Sequence, residues 1–228
     1  MSNVSELVLG IDEAGRGPAL GPMVLALVAL TPTTSRRLTR AGVVDSKHFG
    51  AGDVAHERRQ DLATQIRDCA THVDLEVCDV STIDAYVRRG ALNVLERERA
   101  HALIDRAPEA KRIVADGKRM FAPLRNQFPH LQAFDRGESR HVAVAAASVL
   151  AKVERDRLFL EISARYADEF GPLRGRGYVN AGTRDFVHAF HGRYGHLPPE
   201  ARTSWPWPGI RLPEDEAAAT TEQLGFSF

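Results

Sequence analysis

Leu7-Val8-Leu9-Gly10-Ile11-Asp12-Glu13-Ala14-Gly15-Arg16-Gly17-Pro18 is an apolar run that ends in two adjacent carboxylates and passes directly into a Gly-Arg-Gly turn. Its apolar part, residues 7–11, predicts a buried strand; residues 23–30, rich in Val and Leu after a Gly-Pro break, predict a second. Adjacent side chains on a strand point to opposite faces, so Asp12 and Glu13 can share one site only at the strand end, where the backbone turns. Gly15 and Gly17 let the backbone approach a ligand closely, and Arg16 offers a guanidinium to a phosphate. A bare Asp-Glu pair would read as a solvated surface turn. The flanking glycines argue against that.

Working outward, Val73, Leu75 and Val77 alternate with polar residues and predict a third strand. Ser81 followed by Asp84 reads as a helix N-cap with an acidic first turn, opening a charged segment through about residue 106. Residues 112–116 and, more weakly, 131–134 predict two further strands. Strands that come first as a group and then alternate with helices favour an α/β fold with a mixed sheet flanked by helices. Residues 143–166, Ala-rich and then charged without Gly or Pro, predict a long helix whose first half is buried. A last helix is expected from Thr183 as N-cap, with Phe186, Phe190 and Tyr194 on one face and Gly195 as its stop. One domain over residues 1–211 is expected, followed by a flexible acidic tail over 212–228.

Composition limits the chemistry. The chain has 228 residues, with 30 Lys+Arg against 30 Asp+Glu, so a partner found by bulk charge is excluded and any nucleic-acid surface must be a local patch. Cys69 and Cys78 lack metal-ligand spacing and supply no disulfide framework, which fits a reducing cytoplasmic compartment. No apolar run reaches the roughly 20 residues that span a bilayer, and the N-terminus lacks the basic-then-apolar order of a signal peptide.

Ile113-Val114-Ala115-Asp116-Gly117 is a second strand that terminates in an acid. Two such ends suggest a carboxylate cluster at one edge of a sheet. Clustered carboxylates repel and raise one another's pKa, so a stable cluster needs cations, and hard divalent ions such as Mg²⁺ or Mn²⁺ suit oxygen ligands. Two ions about 3.5–4 Å apart would suit phosphodiester hydrolysis without a covalent nucleophile.

These residues resemble the type 2 ribonuclease H (ribonuclease HII) family. Asp12 to Pro18, continuing through Leu20-Gly21-Pro22-Met23, is similar to its opening motif. Asp45-Ser46-Lys47 resembles its second block, Asp116-Gly117 its third, and Ala145 to Asp156 its most recognisable helix. Gly177-Tyr178 with Thr183, and Arg202-Thr203-Ser204-Trp205, resemble its C-terminal blocks in the form nearer the archaeal and eukaryotic members. The resemblance runs in order over residues 7–207. It implies a ribonuclease H-like fold with a mixed five-stranded sheet and a helical C-terminal segment. It also implies endonucleolytic cleavage of RNA in RNA/DNA hybrids and at single ribonucleotides in duplex DNA, with Mg²⁺ or Mn²⁺, giving 5′-phosphate and 3′-hydroxyl ends.

The family's four acidic ligands carry over onto Asp12, Glu13, Asp116 and Glu138. The fourth departs from the pattern, because the family usually has Asp where this chain has Glu138, one methylene longer. Asp135 would substitute only if the local alignment slips. By the same resemblance Gly15, Arg16, Gly17 and Tyr178 would hold the nucleotide at the RNA–DNA junction, sensing the 2′-OH, and Lys47 would contact a phosphate. Arg174, Arg176, Arg184, Arg193, Arg202 and Arg211 face few acids in that stretch and suggest a basic patch in the C-terminal third. The terminal Gln223-Leu224-Gly225-Phe226-Ser227-Phe228 resembles the short peptides by which bacterial replication and repair proteins bind the sliding clamp; a tail docked on its own domain is the alternative. Two rival functions stand beside the nuclease: a non-catalytic hybrid-binding module weakened by Glu138, and a related four-carboxylate exonuclease.

Overall fold

The computed structural model describes residues 6–44, 50, 53–139 and 141–210. The elements run in the order β1 (Val8–Ala14), β2 (Met23–Leu30), α1 (Pro32–Arg40), α2 (Asp53–Cys69), β3 (His72–Cys78), α3 (Val80–Val87), α4 (Leu92–Arg106), β4 (Arg112–Asp116), α5 (Lys118–Phe121), β5 (Leu131–Phe134), α6 (Val142–Phe170) and α7 (Ala181–Tyr194). The five strands form one sheet in the order β3-β2-β1-β4-β5. β1 pairs antiparallel with β2 and parallel with β4, β2 is antiparallel to β3, and β4 is parallel to β5. The sheet is therefore mixed and five-stranded, as expected.

β2 is buried along its whole length, which its unbroken apolar run requires. Its side chains divide between the two faces. Leu25 and Leu27 join Leu9 and Ile11 of β1, Leu95 and Leu103 of α4 and Phe121 of α5 in one core. Val24, Ala26 and Val28 join the Ala-rich start of α6 with Leu62 and Ile66 of α2 in the other. A third cluster, built from Phe159 and Ile162 of α6, Phe186, Val187 and Phe190 of α7, and Trp207, fixes the C-terminal helices to the sheet domain. At Gly10 the helix α6 lies directly on β1: a Cβ there would stand 2.0 Å from the Ala143 carbonyl carbon. No larger residue fits without displacing backbone.

Several boundaries differ from the sequence reading. The charged segment after β3 is two helices, α3 and α4, broken between residues 88 and 91 at a Gly90 of positive φ. Its N-cap is Asp79, whose carboxylate accepts from the Thr82 N–H at 2.7 Å, rather than Ser81. The cap of α7 is Asn180, with Thr183 the donor at 3.1 Å rather than the cap, while Gly195 does end that helix in the left-handed conformation. α1 and α2 are additional to the expected elements: α1 buries only Leu38, while α2 turns Leu62, Ala63 and Ile66 into the core. Among the described residues no helix is long and apolar enough to cross a membrane.

Candidate metal centre

Parallel pairing of β1 with β4 sets Ile11 beside Ala115, so Asp12 and Asp116 follow together at the C-terminal end of that pairing, between interior strands rather than at the sheet's edge. Contrary to expectation, β1 does not turn at its acids but stays paired with β2 through Ala14. Glu138 arrives from a 3-10 turn, Gly137–Ser139, between β5 and α6. Asp116 holds that turn directly: its Oδ1 accepts from the Gly137 N–H at 2.9 Å. One carboxylate oxygen from each of Asp12, Asp116 and Glu138 comes within 4.8 Å of the others. Asp12 and Glu138 are buried, so this is no solvated acidic patch.

Glu13, the next residue on β1, is not one of the three carboxylates whose oxygens come within 4.8 Å of one another, yet it lies close enough to feel Asp12 and Asp116. Burial pushes its carboxyl well above the ordinary carboxylate range, and Asp12, Glu96 and Asp116 push it the same way, against the lowering pull of Arg16. Its Oε2 is buried without a hydrogen-bond partner. Clustered carboxylates, an orphaned carboxylate oxygen on Glu13 and an all-oxygen donor set together fit a hard divalent cation of the Mg²⁺ or Mn²⁺ class. Asp135, the alternative fourth acid, is exposed and points elsewhere, its Oδ1 accepting from the Lys118 N–H at 2.9 Å.

Beyond Ala14 the chain turns at Gly15, whose φ of +89° and a Pro22 carbonyl only 2.7 Å from any added Cβ require glycine. The Arg16 side chain does not project outward to a phosphate. Its guanidinium is ion-paired with Glu96 of α4, a fully buried carboxylate, and also donates to Asn93 Oδ1 at 2.9 Å. The reason is electrostatic, since a buried glutamate beside an acidic cluster demands a cation. What the turn leaves for a ligand is its backbone. Gly17 is exposed, and a Cβ on it would meet the Tyr178 ring at 3.6 Å. Tyr178 is itself 52% exposed, and the Gly177 carbonyl before it accepts from the N–H groups of Ala19 at 2.8 Å and Leu20 at 3.1 Å. Turn and tyrosine are thus one surface, adjoining the carboxylates through β1.

One arginine of the expected basic patch is withdrawn from it: Arg202 is fully buried. Arg193 and Arg176 keep exposed side chains while contacting Glu169 and Asp156, the latter at 3.3 Å. Arg174 and Arg184 are exposed. Arg202 instead donates to the backbone of the glycine turn, a role that counting charges could not show; only its place in the Arg202-Thr203-Ser204-Trp205 block marked it. Lys47, Arg211 and the terminal motif at 223–228 lie outside the described residues.

A family model described as ribonuclease HII matches residues 9–206. The chain belongs to the ribonuclease HII family. Ribonuclease HII of Methanothermobacter thermautotrophicus is 36% identical over 209 residues, covering 87% of this chain and 95% of the relative. Among solved structures, the ribonuclease H2 of Pyrococcus horikoshii superposes with a TM-score of 0.77 at 27% identity, covering 88% of this chain and 94% of that one. A PCNA:RNase HII complex from Archaeoglobus fulgidus matches with a TM-score of 0.72 at 27% identity, covering 91% and 99%. As a ribonuclease HII, the protein is a metal-dependent endoribonuclease on a ribonuclease H fold.

Proposed function

We propose that this ribonuclease HII hydrolyses the RNA strand of RNA/DNA hybrids and also cuts at single ribonucleotides embedded in duplex DNA, the substrate of ribonucleotide excision repair. Cleavage proceeds with two divalent ions and leaves 5′-phosphate and 3′-hydroxyl ends. The observation that carries this reading is the convergence of Asp12, Asp116 and Glu138 within 4.8 Å where the pairing of β1 with β4 ends, adjoining an exposed backbone turn and a tyrosine.

In this reading Asp12, Glu13, Asp116 and Glu138 hold the ions. When bound, divalent ions supply the positive charge that activates a water and stabilises the leaving oxygen. The chain's own residues bind and orient. The Gly15-Arg16-Gly17 backbone donates to the nucleotide at the junction, and the Tyr178 ring packs on a sugar whose 2′-OH distinguishes RNA from DNA. Arg16 contributes through its N–H, since its guanidinium is committed to Glu96. Lys47 neutralises a backbone phosphate. The inward, buried position of Glu138 favours catalysis over a hybrid-binding module, because its extra methylene still brings an oxygen to Asp12 and Asp116.

An RNA/DNA hybrid with its RNA strand end-labelled tests the reaction. Internal cuts at the earliest times are expected; products that shorten progressively from one end would favour an exonuclease. We further propose that residues 223–228 bind a sliding clamp, supported by the motif itself and by the Archaeoglobus fulgidus relative solved as a PCNA complex. The full chain should bind a clamp more tightly than a chain ending at Glu222, and equal affinities would reject the idea.

A further inference from the structure

The Gly15–Gly17 turn is gripped from behind. Arg202, with no exposed surface, donates from Nη2 to the Gly15 carbonyl at 2.5 Å, from Nη1 to the Arg16 carbonyl at 2.9 Å and from Nε to the Gly21 carbonyl at 3.0 Å. Trp205 donates its indole N–H to the Gly17 carbonyl at 3.2 Å, and its ring lies under the Arg202 guanidinium at 4.8 Å. One short segment therefore takes every carbonyl of the turn.

That segment is anchored from its other side. Asp84 of α3, itself buried, accepts from the Thr203 N–H at 2.8 Å, the Thr203 hydroxyl at 3.0 Å and the Ser204 N–H at 3.1 Å. The Trp207 indole donates to the Arg202 carbonyl at 3.0 Å. A buried guanidinium is costly to desolvate and stays only where its donors are well used.

In a planar trans peptide the N–H points opposite to the carbonyl. Carbonyls of Gly15 and Arg16 drawn towards Arg202 therefore turn the N–H groups of Arg16 and Gly17 the other way, towards the side where Gly17 and Tyr178 are exposed. Pro18 has no N–H to add. Among the described residues nothing accepts from the Arg16 or Gly17 N–H.

We propose that Arg202 and Trp205 are positioning residues for substrate recognition: by holding the turn's carbonyls they present two preorganised N–H donors to the ribonucleotide at the cut site. The inference rests on the reading of this turn as the junction-recognition element. A substrate with a single ribonucleotide has one 2′-OH to be found, so it depends on these donors more than a continuous hybrid, which offers a 2′-OH at every step.

The test compares kcat/KM of the full-length wild type, Arg202→Lys and Trp205→Phe on two substrates, duplex DNA with one ribonucleotide and a uniform RNA/DNA hybrid, with Mn²⁺ affinity and melting temperature recorded. Trp205→Phe deletes one neutral hydrogen bond while keeping a ring, and its kcat/KM on the single-ribonucleotide duplex should fall about fivefold, more than on the hybrid. Arg202→Lys cannot reach three carbonyls and should lose about tenfold or more, with the same bias. Mn²⁺ affinity should stay at the wild-type value in both. Unchanged preference between the two substrates in Trp205→Phe, or losses in both variants that are equal on both substrates and track melting temperature, would overturn the proposal. A wild type inactive on the single-ribonucleotide duplex would instead overturn the functional reading on which it rests, and this proposal with it.

Discussion

Gly10→Ala is the substitution whose consequences the structure fixes most closely. Gly10 sits within β1, where exchanging glycine for alanine would ordinarily stabilise by about 0.4–1 kcal/mol through the unfolded chain. Here the new Cβ would stand 2.0 Å from the Ala143 carbonyl carbon, 2.2 Å from its oxygen and 2.4 Å from the Val144 nitrogen, all backbone atoms. Reaching ordinary contact at 3.4 Å requires α6 to withdraw from β1 by about 1.4 Å. Overpacking of this kind costs about 1–3 kcal/mol, and rigid backbone on both sides puts the cost at the upper end, so the sign reverses. The displacement has a second effect. α6 follows directly on the 3-10 turn bearing Glu138, and the His141 N–H donates to the Gly137 carbonyl at 2.8 Å, so the helix carries Glu138 away from Asp12 on β1. A misplacement of about 1 Å in a reacting constellation costs roughly 100-fold in rate. Urea unfolding followed by circular dichroism, with kcat/KM on an RNA/DNA hybrid, measures both. A variant at least as stable as wild type with undiminished kcat/KM would refute the argument that α6 contact at Gly10 sets the geometry of the carboxylates.

Two further outcomes are expected. Tyr178→Ala should lower kcat/KM at a single ribonucleotide by about tenfold while leaving Mn²⁺ affinity intact, because the exposed ring adjoins Gly17 and not the carboxylates; a matching loss in calorimetric Mn²⁺ titration would make the tyrosine structural. Glu13, raised by burial and by neighbouring acids, binds a proton more tightly folded than unfolded, so the metal-free protein should lose stability as pH rises from the ordinary carboxylate range through its elevated folded value. A divalent cation takes over the proton's neutralising role, so the melting-temperature increment from Mg²⁺ should be larger at about pH 8 than at about pH 5 by scanning calorimetry, and the reverse order would count against the cluster as the binding site.

Much of the scaffold is legible in the sequence because its signals are strong. The five strands are apolar or alternating runs, and the apolar part of two of them is followed at once by an acid; once β1 and β4 pair in parallel with Ile11 beside Ala115, Asp12 and Asp116 come next to each other. The family resemblance supplied Glu138, whose position in a turn after an edge strand has no periodic signal of its own. α1 buries only Leu38 and so offers no apolar stripe, whereas α2 does bury Ala55, Leu62, Ala63 and Ile66 at helical spacing, a stripe that the charged residues between them obscure in the sequence. The cap residues slipped by two or three positions because Asp79 and Asn180 compete with Ser81 and Thr183, all of them good caps, and only the backbone conformation decides. Arginine was the hardest residue to read. Arg16 and Arg202 stand in sequence as surface cations, yet one neutralises buried Glu96 and the other holds three carbonyls inside the protein. Charge counts register sign and spacing, while the destination of a long guanidinium is set by which buried acceptors the fold leaves open.

The role proposed for the carboxylates gathered where β1 and β4 end their pairing is to hold the divalent ions that cut at a ribonucleotide. Duplex DNA containing one ribonucleotide, incubated with the wild type and with Asp12→Asn in Mg²⁺ and in Mn²⁺ and mapped for its product ends, tests that role. The wild type should make a single incision at the ribonucleotide, leaving 5′-phosphate and 3′-hydroxyl termini, and Asp12→Asn should cut at least about 100-fold more slowly. No wild-type product with either metal, or equal cutting by Asp12→Asn, would contradict it.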